Sequence, residues 1–317
     1  MMFRRFMAVA CTAFAEAAAE PVSALLLLSA VMLVHIAPVL QYTLLSEPGR
    51  LARDGGFSAL LVFGALFAVP AVLRSIGREI SSGTAAAALA RPVPRPLFLA
   101  GKICGALLSL LLFAAGVVSA ALLSEGSCIA GCAGAAARGE HGTAAVSGAC
   151  FALGTLPAFA ALAAAAAAHR FKSSRFAPVL FTLLALSQPA AAAYAFLSGM
   201  APFDARVIPA SIPVLAFVAV MTVSAAALAC RFRPAFAGAG TAALASAAMF
   251  MQLAPPRIRS VLGFAVPDFG NFWLADALSR AGEVPWSYVL HACGAAAALS
   301  AAWFLAGCAF FASRDIS

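Results

Sequence analysis

The chain has 317 residues, of which 64% are hydrophobic and only 10% charged, with a mean hydropathy of +0.99. Soluble domains carry about 25% charged residues, so this composition excludes a soluble globular protein and implies an all-α polytopic integral membrane protein. The net charge of +8 does not argue for nucleic acid: no basic run interleaved with aromatics occurs, and membrane proteins gather Lys and Arg on the cytoplasmic side.

The N-terminus, MMFRRFMAVACTAFAEAAAEP, starts with Arg4 and Arg5 like a signal peptide. Glu16 and Glu20 interrupt it, and the following apolar run ends at HIAP without a small-x-small cleavage site. Residues 1–20 therefore read as a retained amphipathic helix in the membrane interface. Eight apolar runs then have the length needed to cross a hydrocarbon core of roughly 30 Å. They cover residues 22–40, 57–74, 98–123, 144–168, 176–198, 208–230, 235–254 and 286–311. The pair 208–230 and 235–254, joined by CRFRPAF, could instead form a re-entrant hairpin, leaving six spans; eight is the favoured count. Most of the 20 Lys and Arg fall on the inner side when both termini are cytoplasmic, which sets the expected N-in/C-in topology. The whole chain, residues 1–317, is then one transmembrane domain. Its longest polar stretches are a cytoplasmic segment at 75–97 and an external segment at 253–286. In the latter, PDFGNFWLADAL reads as a half-helix whose Phe269, Phe272 and Trp273, with Trp286 beyond, suit the headgroup zone.

Catalytic patterns are missing. HExxH, GxSxG and GxxxxGK[ST] do not occur, which argues against an enzyme with its own metal, hydrolase or ATP site. His35 is the one ionisable group expected well inside a span; a single His on an apolar helix reads as a hydrogen-bonded packing residue ahead of a proton relay. Six of the eight cysteines lie in or beside spans. Cys128 and Cys132 fall in the expected outer loop, where their CxxxC spacing suits either a disulfide in an oxidising compartment or two free thiols. Gly101 and Gly105 form a GxxxG spacing that permits close helix approach.

The stretch REISSGTAAAALARPVPRPLFLAGK, residues 78–102, is the densest polar segment of the chain. It is expected to be helical from about Ile76 to Ala90, with Gly83 on the same face as Glu79 and open to a close neighbour. Pro92 stops that helix, RPVPRP is a stiff extended connector, and Pro96 opens the next helix from its first turn. Arg91, Arg95 and Lys102 are expected to face the cytoplasmic headgroups.

This segment resembles the cytoplasmic loop between the first two transmembrane hairpins of ABC-2 type permeases, including NosY-like and gliding-motility-type members. Their pattern REI-x-x-GT…L-x-[RK]-PV-x-R-x-x-F-x-x-GK-x-x-G is matched in order. The matching residues are Arg78, Glu79, Ile80, Gly83, Thr84, Leu89, Arg91, Pro92, Val93, Arg95, Phe98, Gly101, Lys102 and Gly105. The likeness covers residues 1–110 and is mostly topological beyond them. It implies the membrane subunit of an exporter in a bacterial cytoplasmic membrane. Two permease copies, homo- or heterodimeric, would pair with separate ATP-binding subunits that hold ATP and magnesium, leaving no cofactor in this chain. Arg78, Glu79, Ile80, Gly83 and Thr84 would couple to the ATPase, and Arg91, Pro92, Arg95 and Lys102 would hold the connector at the membrane. An ion-coupled secondary carrier, or a membrane scaffold that moves nothing, is the alternative.

Overall fold

The computed structural model describes residues 2–40, 47–81, 94–139, 145–202, 204–255, 257, 259, 262–263, 265–279 and 282–313. Every regular element among them is helical. An interfacial α1 (Met2–Ala19) precedes α2 (Pro21–Ile36), which ends in a 3₁₀ turn at Ala37–Leu40. Then follow α3 (Arg50–Ser81), α4 (Arg95–Ala137), α5 (Gly148–Lys172), α6 (Phe176–Leu197), α7 (Val207–Arg231), α8 (Pro234–Phe250), the short α9 (Ala275–Ser279) and α10 (Trp286–Ala312). The punctuation is chemical. Pro21 and Pro234 each begin a helix where the missing N–H costs nothing. Pro94 is extended at the N-cap of α4 and Pro96 lies in its first turn. Ser173 ends α5 at φ 50°, a left-handed cap that turns the chain directly into α6.

Eight helices among the described residues are long and apolar enough to cross a membrane. The ends of α7 separate the eight-span reading from the six-span one. Val207 packs with Phe57, Leu278 and Val289, whereas Cys230 packs with Phe98 and Phe311 at the opposite end of the bundle. The helix therefore crosses, and α8 starts back from the inner end with Pro234 against Gly77. Both chain ends lie at that same end: α1 packs on α4, and Arg95 bonds the last carbonyls of α10.

The most enclosed helices are α7, α4 and α3, which form the centre. On one flank α2, α5 and α6 pack around stacked Phe67 and Phe113, 5.0 Å apart, and Phe67 and Phe181, 5.6 Å apart. On the other flank stand α8 and α10. Hydrocarbon tails supply no hydrophobic drive between helices, so close packing and hydrogen bonds must hold this bundle. His35 shows both. It is buried and donates to Gln188 Oε1 at 3.3 Å, while Gln188 Nε2 donates to the carbonyl of Gly154 at 3.1 Å. Any Cβ at Gly154 would strike the His35 ring. His35 is thus a hydrogen-bonded packing residue whose partner is an amide.

Two expectations are corrected. The third span does not stop near residue 123: α4 continues as one helix to Ala137. The expected outer loop is therefore helical, and Cys128 and Cys132 lie one turn apart on it. Both are free thiols, Cys128 buried and Cys132 pointing its sulfur 3.7 Å from the carbonyl of Ala145. The external segment is not an interfacial half-helix either. It holds a 3₁₀ turn at Phe269–Asn271 and the five-residue α9, and its aromatics turn inward. Phe272 is buried and Phe269 lies 5.1 Å from Phe217; of the four expected at the headgroups, only Trp286 is strongly exposed.

Gly154→Val is expected to displace the His35 ring and leave two buried polar side chains without partners, at a cost of about 2–4 kcal/mol. Ala160→Val, on an exposed position of the same helix, is expected to stay within about 0.5 kcal/mol. Thermal unfolding of the two purified variants measures the difference.

Candidate functional site

At the inner end, the segment singled out from sequence meets α1 and α4. α3 runs unbroken to Ser81, so Arg78, Glu79 and Ile80 belong to the end of the second span's helix and not to a separate short one. Gly83, Thr84, Arg91 and Pro92 lie outside the described residues.

Lys102 is the hub. It is only 2% exposed, so it does not face the headgroups as expected. Its Nζ lies 2.6 Å from Glu79 Oε1 and 3.2 Å from Glu16 Oε2, and it donates to Ser75 Oγ at 3.0 Å. Ser75 in turn donates to Glu16 Oε2 at 2.6 Å. The Phe98 ring stands 5.9 Å from the ammonium. One cation is thus held by two carboxylates from two helices. This is what a buried charge requires, because an isolated one would lose its hydration with nothing in return. The geometry also explains why Glu79 turns inward rather than outward: the buried Lys102 ammonium lies close to the end of its own helix.

Weaker pairs surround the hub. Arg78 reaches Glu20 at 3.3 Å from a well-exposed position, and Arg74 reaches the same carboxylate at 3.7 Å. Arg95 donates through Nη1 to the carbonyls of Phe311 at 3.1 Å and Ala312 at 3.0 Å, and lies over the Phe311 ring. A cation at a helix C-terminus meets both unpaired carbonyls and the negative dipole end. Arg95 therefore fastens α4 to α10 within the protein.

The glycine pair gives α1 its seat. A Cβ at Gly101 would stand 2.8 Å from Val9 Cγ1, and one at Gly105 would collide with the backbone carbonyl of Ala10. The GxxxG face thus admits the backbone of the interfacial helix, and this close approach brings Glu16 within reach of Lys102.

A second charge network, at the outer end, was not foreseen. Arg53, 3% exposed, lies 3.2 Å from the equally buried Glu125, 3.1 Å from Glu47 and 3.7 Å from Asp204. Arg206 grips Asp204 through Nε at 2.9 Å and Nη2 at 2.7 Å, and donates to the carbonyl of Gly282. Gly49, at φ 84°, lies flat on the Glu125 side chain, where a Cβ would approach Cγ to 2.8 Å. Only glycine combines that dihedral with that contact. Glu125 was the available signal: a lone acid within a run that stays apolar on both sides, hidden by placing it in a loop. Burial pushes the Asp204 carboxyl up, but hydrogen bonds from Arg206 and the charges of Arg206 and Arg53 outweigh it and hold the group below its ordinary range.

No protein-family model, curated protein or solved structure matches the chain. Among the described residues no group of three His, Cys, Asp or Glu is placed to hold a metal.

Two outcomes follow from these networks. Lys102→Met strands Glu79 and Glu16 and is expected to cost about 3–5 kcal/mol. Adding Glu79→Gln should recover part of that, whereas Arg78→Ala at the exposed pair should cost under about 1 kcal/mol; thermal unfolding of each variant checks the order. At the outer end, a carboxylate with a depressed pKa stabilises the fold above the ordinary carboxylate range, about pH 4. That contribution disappears as pH falls through the lowered value. Asp204→Asn should therefore lower the unfolding temperature at pH 7, and its difference from the parent should shrink steadily as pH falls below about 4.

Proposed function

We propose that the chain is the membrane-spanning permease subunit of an ABC-2 type exporter, driven by ATP hydrolysis on a separate subunit bound at its inner face. This reading implies a bacterial cytoplasmic membrane and a second permease copy. The observation that carries it is the Lys102 hub, set directly behind the segment that resembles the family's ATPase-docking loop. Through Glu79, Ser75 and Glu16, Lys102 links the helix entering that loop to the interfacial helix, and as part of α4 it links both to the helix leaving it. A push delivered to the end of α3 would pass through Lys102 to α1 and α4.

In this reading Glu79 acts as a strut against Lys102, and Arg78, Ile80, Gly83 and Thr84 of the coupling set are left to meet the ATPase. The ion-coupled carrier asks for a carboxylate near mid-depth. Glu125 is buried, but it stands about 34 Å along α4 from Lys102, at the outer edge of the hydrocarbon, and it is already occupied by Arg53. That position suits a structural lock better than an ion site.

Coexpression with a candidate ATP-binding subunit of the ABC type provides the test. Gly83→Trp is expected to reduce ATPase copurification at least tenfold without moving the unfolding temperature. Lys102→Met should retain copurification while losing ATP-dependent transport in vesicles. Failure of any ATPase to copurify, together with solute movement on an ion gradient alone, would sink the proposal.

A further inference from the structure

Leu122 and Leu123 are neighbours on α4 and pack in different directions. Leu122 joins Phe57, Val207 and Ala210, on the side of α7, whereas Leu123 joins Ala191, Ala192 and Ala195 of α6. α6 and α7 follow one another in the chain and both pack on α4, yet they make little contact with each other. A wedge therefore opens between them toward the bilayer. It holds a cavity of about 330 Å³ lined by Leu122, Ala192, Ala193, Phe196, Ala205 and Ile208.

The lining decides what can fill it. Leu122 and Ala192 are buried and form the floor, and Phe196 and Ile208 stand exposed beside them as walls. None of these side chains can hydrogen-bond, so a polar ligand would lose its hydration there with nothing in return. The volume lies at the small end of ligand pockets. Left empty, the walls would forgo the dispersion contacts that one aliphatic chain supplies.

The level is that of the outer leaflet. Leu122 lies about 5 Å along α4 from Glu125, and Tyr194, exposed on α6, suits the interface. The rim is charged, because Ala205 separates Asp204 from Arg206. The guanidinium is the outward member of that pair, 37% exposed against 15% for Asp204. Among the described residues, Arg206 gives Nε and one N–H of each terminal nitrogen to Asp204 and to the carbonyl of Gly282. That leaves two of its five N–H groups. A phosphate is an acceptor well matched to them.

We infer that the wedge between α6 and α7 is a phospholipid site, taking one acyl chain of an outer-leaflet lipid with its phosphate on Arg206. The site depends on the membrane fold alone, so it stands or falls apart from the permease reading. Ordinary lipid contact has a reference at the same level. Ser124 Oγ donates to the carbonyl of Val34, which sets the exposed Leu33 and Ile36 of α2 beside the same turn of α4.

Photolabelling in vesicles is the experiment. The probe is phosphatidylglycerol with a diazirine on the upper half of one acyl chain, and labelled peptides are read by mass spectrometry. Peptides carrying Ala192–Phe196 and Ile208 are expected to label about fivefold above the one carrying Leu33 and Ile36. Ala193→Trp, which fills the wedge from an exposed position, should remove that excess, while Ala160→Trp on α5 leaves it unchanged. The matching diacylglycerol probe lacks the phosphate and should show about threefold less excess, with the Arg206–Asp204 pair untouched. Equal labelling of the wedge and α2 would mean ordinary bilayer contact only and overturn the inference. An excess that survives Ala193→Trp, or a diacylglycerol as effective as the phospholipid, would overturn it too.

Discussion

The thickness of the hydrocarbon core governs where this protein keeps its charges. Lys102 and Glu125 are both buried on α4 and stand about 34 Å apart along it, slightly more than the roughly 30 Å of a bilayer interior. On the antiparallel α3, Arg53 meets Glu125 at one end and Ser75 and Glu79 meet Lys102 at the other. Two helices are thus clipped together at both edges of the membrane, with aromatic packing at Phe67 and Phe113 between the clips. A slip of α3 against α4 by one turn, about 5.4 Å, would separate both ion pairs and draw charges toward hydrocarbon. Register is therefore set electrostatically at the ends, where the dielectric allows it, and sterically in the middle, where it does not.

Composition explains the second constraint. An alanine-rich bundle has few large side chains with which to interlock, so it gains contact by bringing backbones together. Gly101 and Gly105 admit α1, Gly154 admits the His35 ring, and Gly126 lies against Ala201 and Pro202 of the loop before α7. Two of these approaches place a polar group that would otherwise be out of reach: Glu16 beside Lys102 and Gln188 beside His35. The scarce polar residues of this chain act through the glycines that let them meet.

The legible part of the fold was what depends on local pattern. Apolar runs of bilayer length predict all eight spans, Pro96 predicts the start of α4, and the GxxxG spacing predicts a close contact at Gly101 and Gly105. The illegible part depended on distance. Arg53 and Glu125 are 72 positions apart, and nothing local says that a loop-edge arginine will turn inward to meet an acid. The end of α4 was misplaced because alanine, glycine and serine beyond Leu123 resemble a loop by hydropathy while forming helix readily once neighbours pack on them. Lys102 was misread for a related reason: a lysine at a span's inner end is ordinarily a headgroup ligand, and only the folded bundle brings Glu79 of α3 and Glu16 of α1 close enough to hold it inside.

The two clips differ in what they join, and that difference bears on how the molecule can move. The outer network binds α3 and α4 to the loops at Glu47 and Asp204 and, through Arg206, to the segment before α10. It ties together three stretches that would have to part if the outer end were to open. The inner network binds the same helix pair to α1, which lies across it and rests on small side chains. A force applied at the end of α3 therefore meets a broad restraint outside and a narrower one inside. Along the rest of their length α3 and α4 are enclosed by α7, α2 and α6, so the pair is held as one unit, with α1 fastened to it by Lys102.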